Sequence, residues 1–512
     1  MAFSACENYR TLWQNASFSA EPDMNPNMPV IIGVGQILQR AEDIESAKEP
    51  IGLMLEAARL AADDAGVSGA LTSLDSVRVV RGIWRYKQPA GYIAAQLGAP
   101  QAETMGTPFG GNSVQALVSE TALNILSGNN QFVLLSGAET GKTQARYAKA
   151  GETMPYLDTG TEPYDRMLGE EMGMTGDEER RLGIQSPIQM YPMFENAIRH
   201  HRGESLAAHR ERIASLWSGF SEVASGNPNA WIREAVSAET IMTPSASNRH
   251  VSFPYPKLLN SNNAVDMGAG ILMCSVSVAK KLGVDESKWV YPWSGANAHD
   301  TYAVSNRDNL YSSPAIREAG NKALELAGVG VSDLARVDVY SCFPSAVQVA
   351  VNELGLDDSK PLTVTGGLTF GGGPLNNYVM HSIARMVELS REDVDGVGLV
   401  TANGGYLTKH AFGVYSATPP AFDFRFEDVQ PAVDQAPTRG LAPEFSGSAT
   451  IESYTVMYKG DQPSMGHLAL RTESGARAWA NVQDAGDLAA MTTEECCGRA
   501  VSVNADSLAT FA

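Results

Sequence analysis

Three short stretches of this 512-residue chain hold the residue types that can do chemistry. "TPFGGNSVQAL" places Gly111 ahead of a helical pattern. "GGLTFGGGPLNNYV" (366–379) places Gly371, Gly372, Gly373 and Pro374 ahead of "MHSIARMVEL", which also has helical spacing. Glycines at a strand-to-helix junction let backbone approach a ligand closely and leave amide donors free at a helix start. Such donors can hold a developing oxyanion; a tight turn needing positive φ uses the same residues. The third stretch, "NGGYLTKHAF", follows an apolar run and gathers Asn403, Gly404, Gly405, Tyr406 and His410. Its phenol and imidazole are groups that transfer protons.

Other stretches offer less. "GAETGKT" (137–143) follows an apolar strand but has three residues, not four, between its first Gly and the Gly-Lys-Thr, so it does not form a phosphate loop. His200, His201 and His209 lie among arginines in "MYPMFENAIRHHRGESLAAHRERIASLWSGFSEVA" (190–224). A metal could use them, but a solvated basic helix is the expected reading, and no metal is assigned. Cys342 reads as a small buried residue.

The elements that position these stretches come twice. "AADDAGVSGALTSLDSVRVV" (61–80) and "ALELAGVGVSDLARVDVYSC" (323–342) each read as a helix ending at Ala-Gly-Val, a turn, and a strand entered through Asp. Asp75 precedes Gly111 by 36 residues and Asp338 precedes Gly373 by 35. Each glycine turn opens a helix that leads to an apolar strand, "QFVLLSGAE" (131–139) and "GVGLVTANGG" (396–405). The repeated order indicates an internal duplication of an α/β unit with parallel sheets and helices on their faces. Ligands of such sheets sit at the carboxyl ends of the strands, so both turns are expected at one crevice. Residues 141–250 read as an insert in the first half. After Pro419 the pattern turns to alternating strands, a small all-β module of barrel type.

Bulk properties remove several classes. Lys and Arg total 38 against 58 Asp and Glu, a net charge of −20. An acidic chain without a basic cluster argues against nucleic acid. No stretch approaches a membrane span. Five cysteines without metal-type spacing suit a reducing, cytoplasmic setting. Residues 1–28 hold no apolar signal core and read as a floppy leader.

Over about residues 29–415 the chain resembles the thiolases, and within them the SCP2-type branch. "MPVIIGVGQ" (28–36) is similar to their first strand, and "ASGNPNAW" (224–231) to their Asn-Pro segment. "YSCFPSAVQVAVNELGL" (340–356) is similar to their His-Asp-Cys-Phe segment, "GGLTFGGGP" to their "GG…GHP" turn, and Asp266 to Ala269 to their "SDGAA" entry. The module after 419 resembles the added domain of thiolase-like proteins of type 1. The resemblance implies a five-layered duplicated fold of two βαβαβαββ halves, spanning 29–285 and 286–418. It further implies a helical loop domain and an OB-like domain over 419–512.

The resemblance also shows what is missing. The family's nucleophilic cysteine falls on Gly111, its GHP histidine on Gly373, and the Asn or His of its third motif on Tyr340. Its second cysteine falls on Ala402, or on Asn403 with a one-residue slip. No cysteine lies within ten residues of Gly111. What the resemblance then implies is binding of coenzyme A or acyl-CoA as substrate, with oxyanion amides at Gly111, Gly404 and Gly405. Tyr340, Tyr406 and His410 are the candidate proton-transfer groups; Lys257, Arg199 or Arg202 are the candidate phosphate cations. Three functions follow: C–C bond chemistry on a CoA thioester without an acyl-enzyme, of retro-aldol or retro-Claisen type; a non-catalytic acyl-CoA or lipid-binding scaffold; or an ordinary acetyl-CoA acetyltransferase. A monomer or a homodimer is expected.

Overall fold

A computed structural model describes residues 24–511. Most of the expected leader lies outside the described residues. Its last part, residues 24–28, is packed: Met28 is 3 % exposed and the Asn25 amide donates to Asp423 Oδ1 at 2.9 Å.

Two sheets carry the duplication. In the first, the order is Pro29–Leu38, Asp266–Ser275, Phe132–Thr140, Ser76–Val79, Glu103–Gly106 and Arg166–Met167. In the second it is Arg425–Asp428, Tyr291–His299, Lys409–Ser416, Val397–Gly404 and Leu334–Asp338. The four shared strands follow one order in both halves: first, last, third, second. The expected all-parallel sheets are mixed instead. Asp266–Ser275 and Lys409–Ser416 run antiparallel to both of their neighbours. A tight turn at 404–408 returns the chain directly, and a direct return must be antiparallel. In the second half, residues 361–365 make no ladder where the first half has Glu103–Gly106. The Asp338 carboxylate holds them instead, accepting from the Val364 N–H at 2.9 Å and the Thr363 hydroxyl at 2.9 Å.

The helices after the two glycine turns, Ser113–Leu126 and Tyr378–Glu392, touch each other and strands of both sheets. They form the middle of five layers. Pro50–Asp64 covers the outer face of the first sheet and Pro314–Ala327 that of the second. The latter shows why such helices start and stop where they do. The Ser313 hydroxyl accepts from the Ile316 N–H, Pro314 takes the first position, and Gly328 closes the helix at φ 71°.

The insert holds Pro187–Arg202 and Leu206–Gly226. They are only in part the solvated basic pair the sequence suggests: His200, His201, Arg202 and Arg212 are exposed, but Arg199 and His209 are not. Arg199 is buried and bound to Glu495. His209 is buried between Glu195 Oε1 at 2.5 Å and Glu204 Oε2 at 2.7 Å. The Arg199 partner could not be read because Glu495 lies 296 residues away, whereas Glu195 and Glu204 lie 14 and 5 residues from His209. Burial alone would lower the His209 pKa, but the two carboxylates outweigh it and hold it above 6.5. A raised folded value gives stability that is complete below the unfolded value and is lost as pH rises through the folded one. The melting temperature of the native chain is therefore expected to fall more steeply above pH 6.5 than that of His209→Gln. Parallel slopes in thermal melts across that range would contradict it.

Arg425–Asp428, which the sequence places in the added module, joins the second sheet beside Tyr291–His299. The module's own path is Arg477–Val482, Gln462–Arg471, Gly447–Lys459, Ala500–Val503 and Ala509–Phe511, with a helix over Ala485–Thr493. One parallel bridge, Asn481 with Leu508, brings the two ends of this path together. The arrangement is barrel-like, and no full ladder closes it among the described residues. Among those residues, no helix is long and apolar enough to cross a membrane.

Candidate active site

The first glycine turn, Gly110-Gly111-Asn112, opens the Ser113–Leu126 helix. A Cβ built on Gly111 would overlap the Tyr340 hydroxyl and the Asn403 carbonyl and lie 2.8 Å from Tyr340 Cζ. The Tyr340 phenol therefore fills the space in which a side chain at 111 would stand. No backbone acceptor is recorded for the Gly111 N–H among the described residues.

Tyr340 follows the Leu334–Asp338 strand and is firmly held. Its N–H donates to Thr401 Oγ1 at 2.9 Å. Its ring meets Tyr378 edge-on at 5.5 Å, and the Tyr378 hydroxyl donates to Asp338 Oδ1 at 3.0 Å. Burial, and secondarily Cys342, pushes the Tyr340 pKa far above the usual phenol value. The hydroxyl is thus a neutral donor and not a base at ordinary pH. Burial also pushes the Cys342 thiol up to about 12. A thiol so seldom ionised is a poor nucleophile, in line with the small buried residue expected.

Asn403 is buried beside them. Its Nδ2 donates to the Tyr191 hydroxyl at 3.0 Å, while its Oδ1 has no partner. Tyr191 comes from the insert and plugs the turn after the Val397–Gly404 strand. Its hydroxyl donates to the Gly405 carbonyl at 3.1 Å and accepts from the Leu407 N–H at 3.0 Å. Its ring stacks on Phe343 at 4.4 Å. A Cβ on Gly404 would overlap the Asn112 amide oxygen, so glycine there leaves room for that side chain.

The second glycine turn lacks the free donors expected of it. The N–H groups of Gly371, Gly372 and Gly373 donate to the carbonyls of Gly366, Gly367 and Asn262. A Cβ on Gly373 would lie 3.1 Å from Asn262 O and from Asn263 Oδ1. A histidine at 373 would fit only if those atoms gave way.

The remaining candidates disperse. Tyr406 donates its hydroxyl to the Gln185 carbonyl and ties its turn to the insert. His410 pairs with Asn403 across the ladder, is 2 % exposed, and lies 3.7 Å from Asp300 Oδ2. It lines a cleft of about 420 Å³ together with Lys409 and Asn112. Lys257 is exposed on a short turn. Arg202 donates to Gln348 at 2.8 Å and lines a second cleft of about 500 Å³ with Arg212. Arg199, already paired, is not available to a phosphate. One set of three metal-type groups converges among the described residues, His200, Glu495 and Cys497. The Arg199 guanidinium bridges that carboxylate, and its charge opposes a cation there. Sequence reading missed Tyr191, which carries no local signal, and Lys409, which sits inside a quoted motif.

Comparisons with known proteins agree with this geometry. Residues 428–507 match the thiolase-like protein type 1 additional C-terminal domain. The acetyl-CoA acetyltransferase of Methanothermobacter thermautotrophicus is 23 % identical over 397 residues, 70 % of this chain and 93 % of the relative. The Ltp2-ChsH2(DUF35) aldolase shares the fold at TM-score 0.59 and 18 % identity, over 77 % of this chain and 99 % of that one. A monomeric SCP2-thiolase-like protein type 1 from Mycobacterium smegmatis superposes at TM-score 0.82 with 32 % identity, over 96 % of this chain and 100 % of that chain. That identity over nearly both whole lengths places the chain in a family: it belongs to the SCP2-thiolase-like proteins of type 1.

Proposed function

We propose that the chain binds acyl-CoA thioesters at the crevice of its two halves and acts on the bond next to the thioester without an acyl-enzyme. The observation that carries this reading is the Tyr340 hydroxyl standing in the space beside Gly111. A neutral phenol at a helix start is suited to donate to the oxygen of a thioester as it becomes an enolate. In a retro-aldol cleavage of a 3-hydroxyacyl-CoA, the C2–C3 bond breaks and its electron pair moves into that enolate. The 3-hydroxyl passes its proton to solvent water as the new carbonyl forms, and C2 of the enolate takes a proton back, so that an aldehyde and acetyl-CoA leave. The fold and the curated acetyltransferase relatives support a CoA thioester as the ligand.

A second reading is a binding scaffold without turnover. The spent amides of the second glycine turn and the Tyr191 plug favour it. Mass-spectrometric product analysis with 3-hydroxyacyl-CoAs and no free CoA separates the two. Cleavage that drops about 10²- to 10³-fold in Tyr340→Phe is the expected result. Saturable binding without turnover would leave the scaffold reading, and absence of binding would overturn both.

A further inference from the structure

We infer that Arg40 and Lys142, both seated on the Trp231 indole, form a binding site for a diphosphate group. The site shares no residue with the Gly111 and Tyr340 pair and does not rest on the acyl-CoA reading. Three segments far apart in sequence build it. The Arg40 guanidinium lies over the Trp231 ring at 4.4 Å, and the Lys142 ammonium lies over the same ring at 5.3 Å. Arg40 also donates through Nη2 to the Trp231 carbonyl at 2.7 Å. Arg146, one turn after Lys142, fastens the Arg40 segment by donating to the carbonyls of Ala41 at 2.9 Å and Glu42 at 2.5 Å. Trp231 is itself held against the second glycine turn. Its N–H donates to the Gly371 carbonyl at 2.9 Å, and its Cβ lies 3.2 Å from a Cβ built on Gly372.

What these two cations lack is a carboxylate. Among the described residues neither forms an ion pair, although the chain carries a net charge of −20. The nearby Asp43 is engaged by the Ser46 N–H at 2.7 Å. A cation–π contact uses the face of the guanidinium and leaves its edge N–H groups free. Arg40 spends one of its donors on Trp231, and the Lys142 ammonium has no hydrogen bond among the described residues. Fixed cations with free donors suit an anion. Their separation is at most about 10 Å, which two charge-assisted bonds of about 2.8 Å and the width of a diphosphate close. A diphosphate has the charge and reach for both cations, and a lone carboxylate has neither. The Gly-Lys-Thr backbone takes no part, unlike that of a phosphate loop. The Lys142 N–H donates to the Val265 carbonyl at 3.2 Å, and the Thr143 N–H to Asp266 Oδ1 at 3.0 Å. Only the lysine side chain of that stretch is left for a ligand.

Calorimetric titration with sodium pyrophosphate at low ionic strength tests this. The native chain is expected to bind it saturably. Arg40→Gln and Lys142→Met are each expected to weaken that binding at least about tenfold, the worth of one charge-assisted hydrogen bond. Lys149→Met, at the exposed end of the same helix as Lys142, is expected to keep it. Lys142→Met covers the case in which Arg40→Gln disturbs the Trp231 backbone, and native melting temperatures confirm that each variant folds. Acetyl-CoA and acetyl-pantetheine identify the source of the diphosphate. Weaker acetyl-CoA binding with unchanged acetyl-pantetheine binding in both variants assigns it to the thioester's own coenzyme; unchanged binding of both assigns it to a free ligand. No saturable pyrophosphate binding by the native chain, or equal binding by the native chain and both variants, would overturn the inference and leave the acyl-CoA reading intact.

Discussion

Gly111→Cys is expected to destabilise the chain by about 1–3 kcal/mol and to form no acyl-enzyme. The sequence position invites the opposite expectation, since a cysteine there would restore the nucleophile of the related thiolases. The geometry decides against it. A Cβ at 111 overlaps both the Tyr340 hydroxyl and the Asn403 backbone carbonyl. The phenol could swing aside only by leaving its packing on Tyr378, and the carbonyl belongs to a central strand of the second sheet. Removing the phenol in Gly111→Cys/Tyr340→Ala relieves one clash and leaves the other. The missing step is also large: loss of a covalent nucleophile costs on the order of 10⁶ in rate, or roughly 8 kcal/mol of barrier. Thermal melts of the single variant, with intact-protein mass spectra after acetyl-CoA, check the expectation. A native melting temperature with a stoichiometric acetyl adduct would contradict it.

Arg477→Met is expected to cost about 3–5 kcal/mol and to loosen the added C-terminal module. Arg477 is 0 % exposed. It forms a two-pronged pair with Glu452, through Nε at 2.9 Å and Nη2 at 2.8 Å. Its Nη1 donates to the carbonyls of Val304 at 3.0 Å and Ser305 at 3.1 Å. Trp479 adds an indole bond to Ser305 Oγ at 2.8 Å. Removing the guanidinium leaves a largely buried carboxylate unpaired and takes a donor from the carbonyls of Val304, Ser305, Arg307 and Asp308, while methionine recovers only the volume. Arg477→Lys is expected to recover part of the loss, because lysine has one charged tip and not a planar fork. The same contact fixes residues 304–308, and Arg307 there pairs with Asp300 at 3.2 Å, next to His410. Urea unfolding with limited proteolysis of the module measures the effect, and a loss under about 1 kcal/mol would contradict it.

The architecture was legible where it is local and repeated. The matched spacings from Asp75 to Gly111 and from Asp338 to Gly373 announced two copies of one unit, and the strands and central helices fall where those spacings put them. Strand direction was less legible, since a tight turn and a crossover leave similar apolar runs. At the first glycine turn the sequence itself shows no cysteine within ten residues of Gly111. That Tyr340 fills it could not be read, because the two residues meet only through the packing of the two halves. The Tyr191 plug was invisible for the same reason: it reaches Asn403 from 212 residues away. The basic look of 199–212 misled because charge composition does not say which cations are already paired.

We propose that the chain takes CoA thioesters without passing through an acyl-enzyme. Incubation of the pure protein with a 3-ketoacyl-CoA, with and without free CoA, and mass analysis of the products tests it most directly. The expected result is no shortened acyl-CoA that depends on free CoA. Shortened product formed strictly in the presence of free CoA would mean thiolysis through a nucleophile, and would contradict the reading of Gly111 and Tyr340.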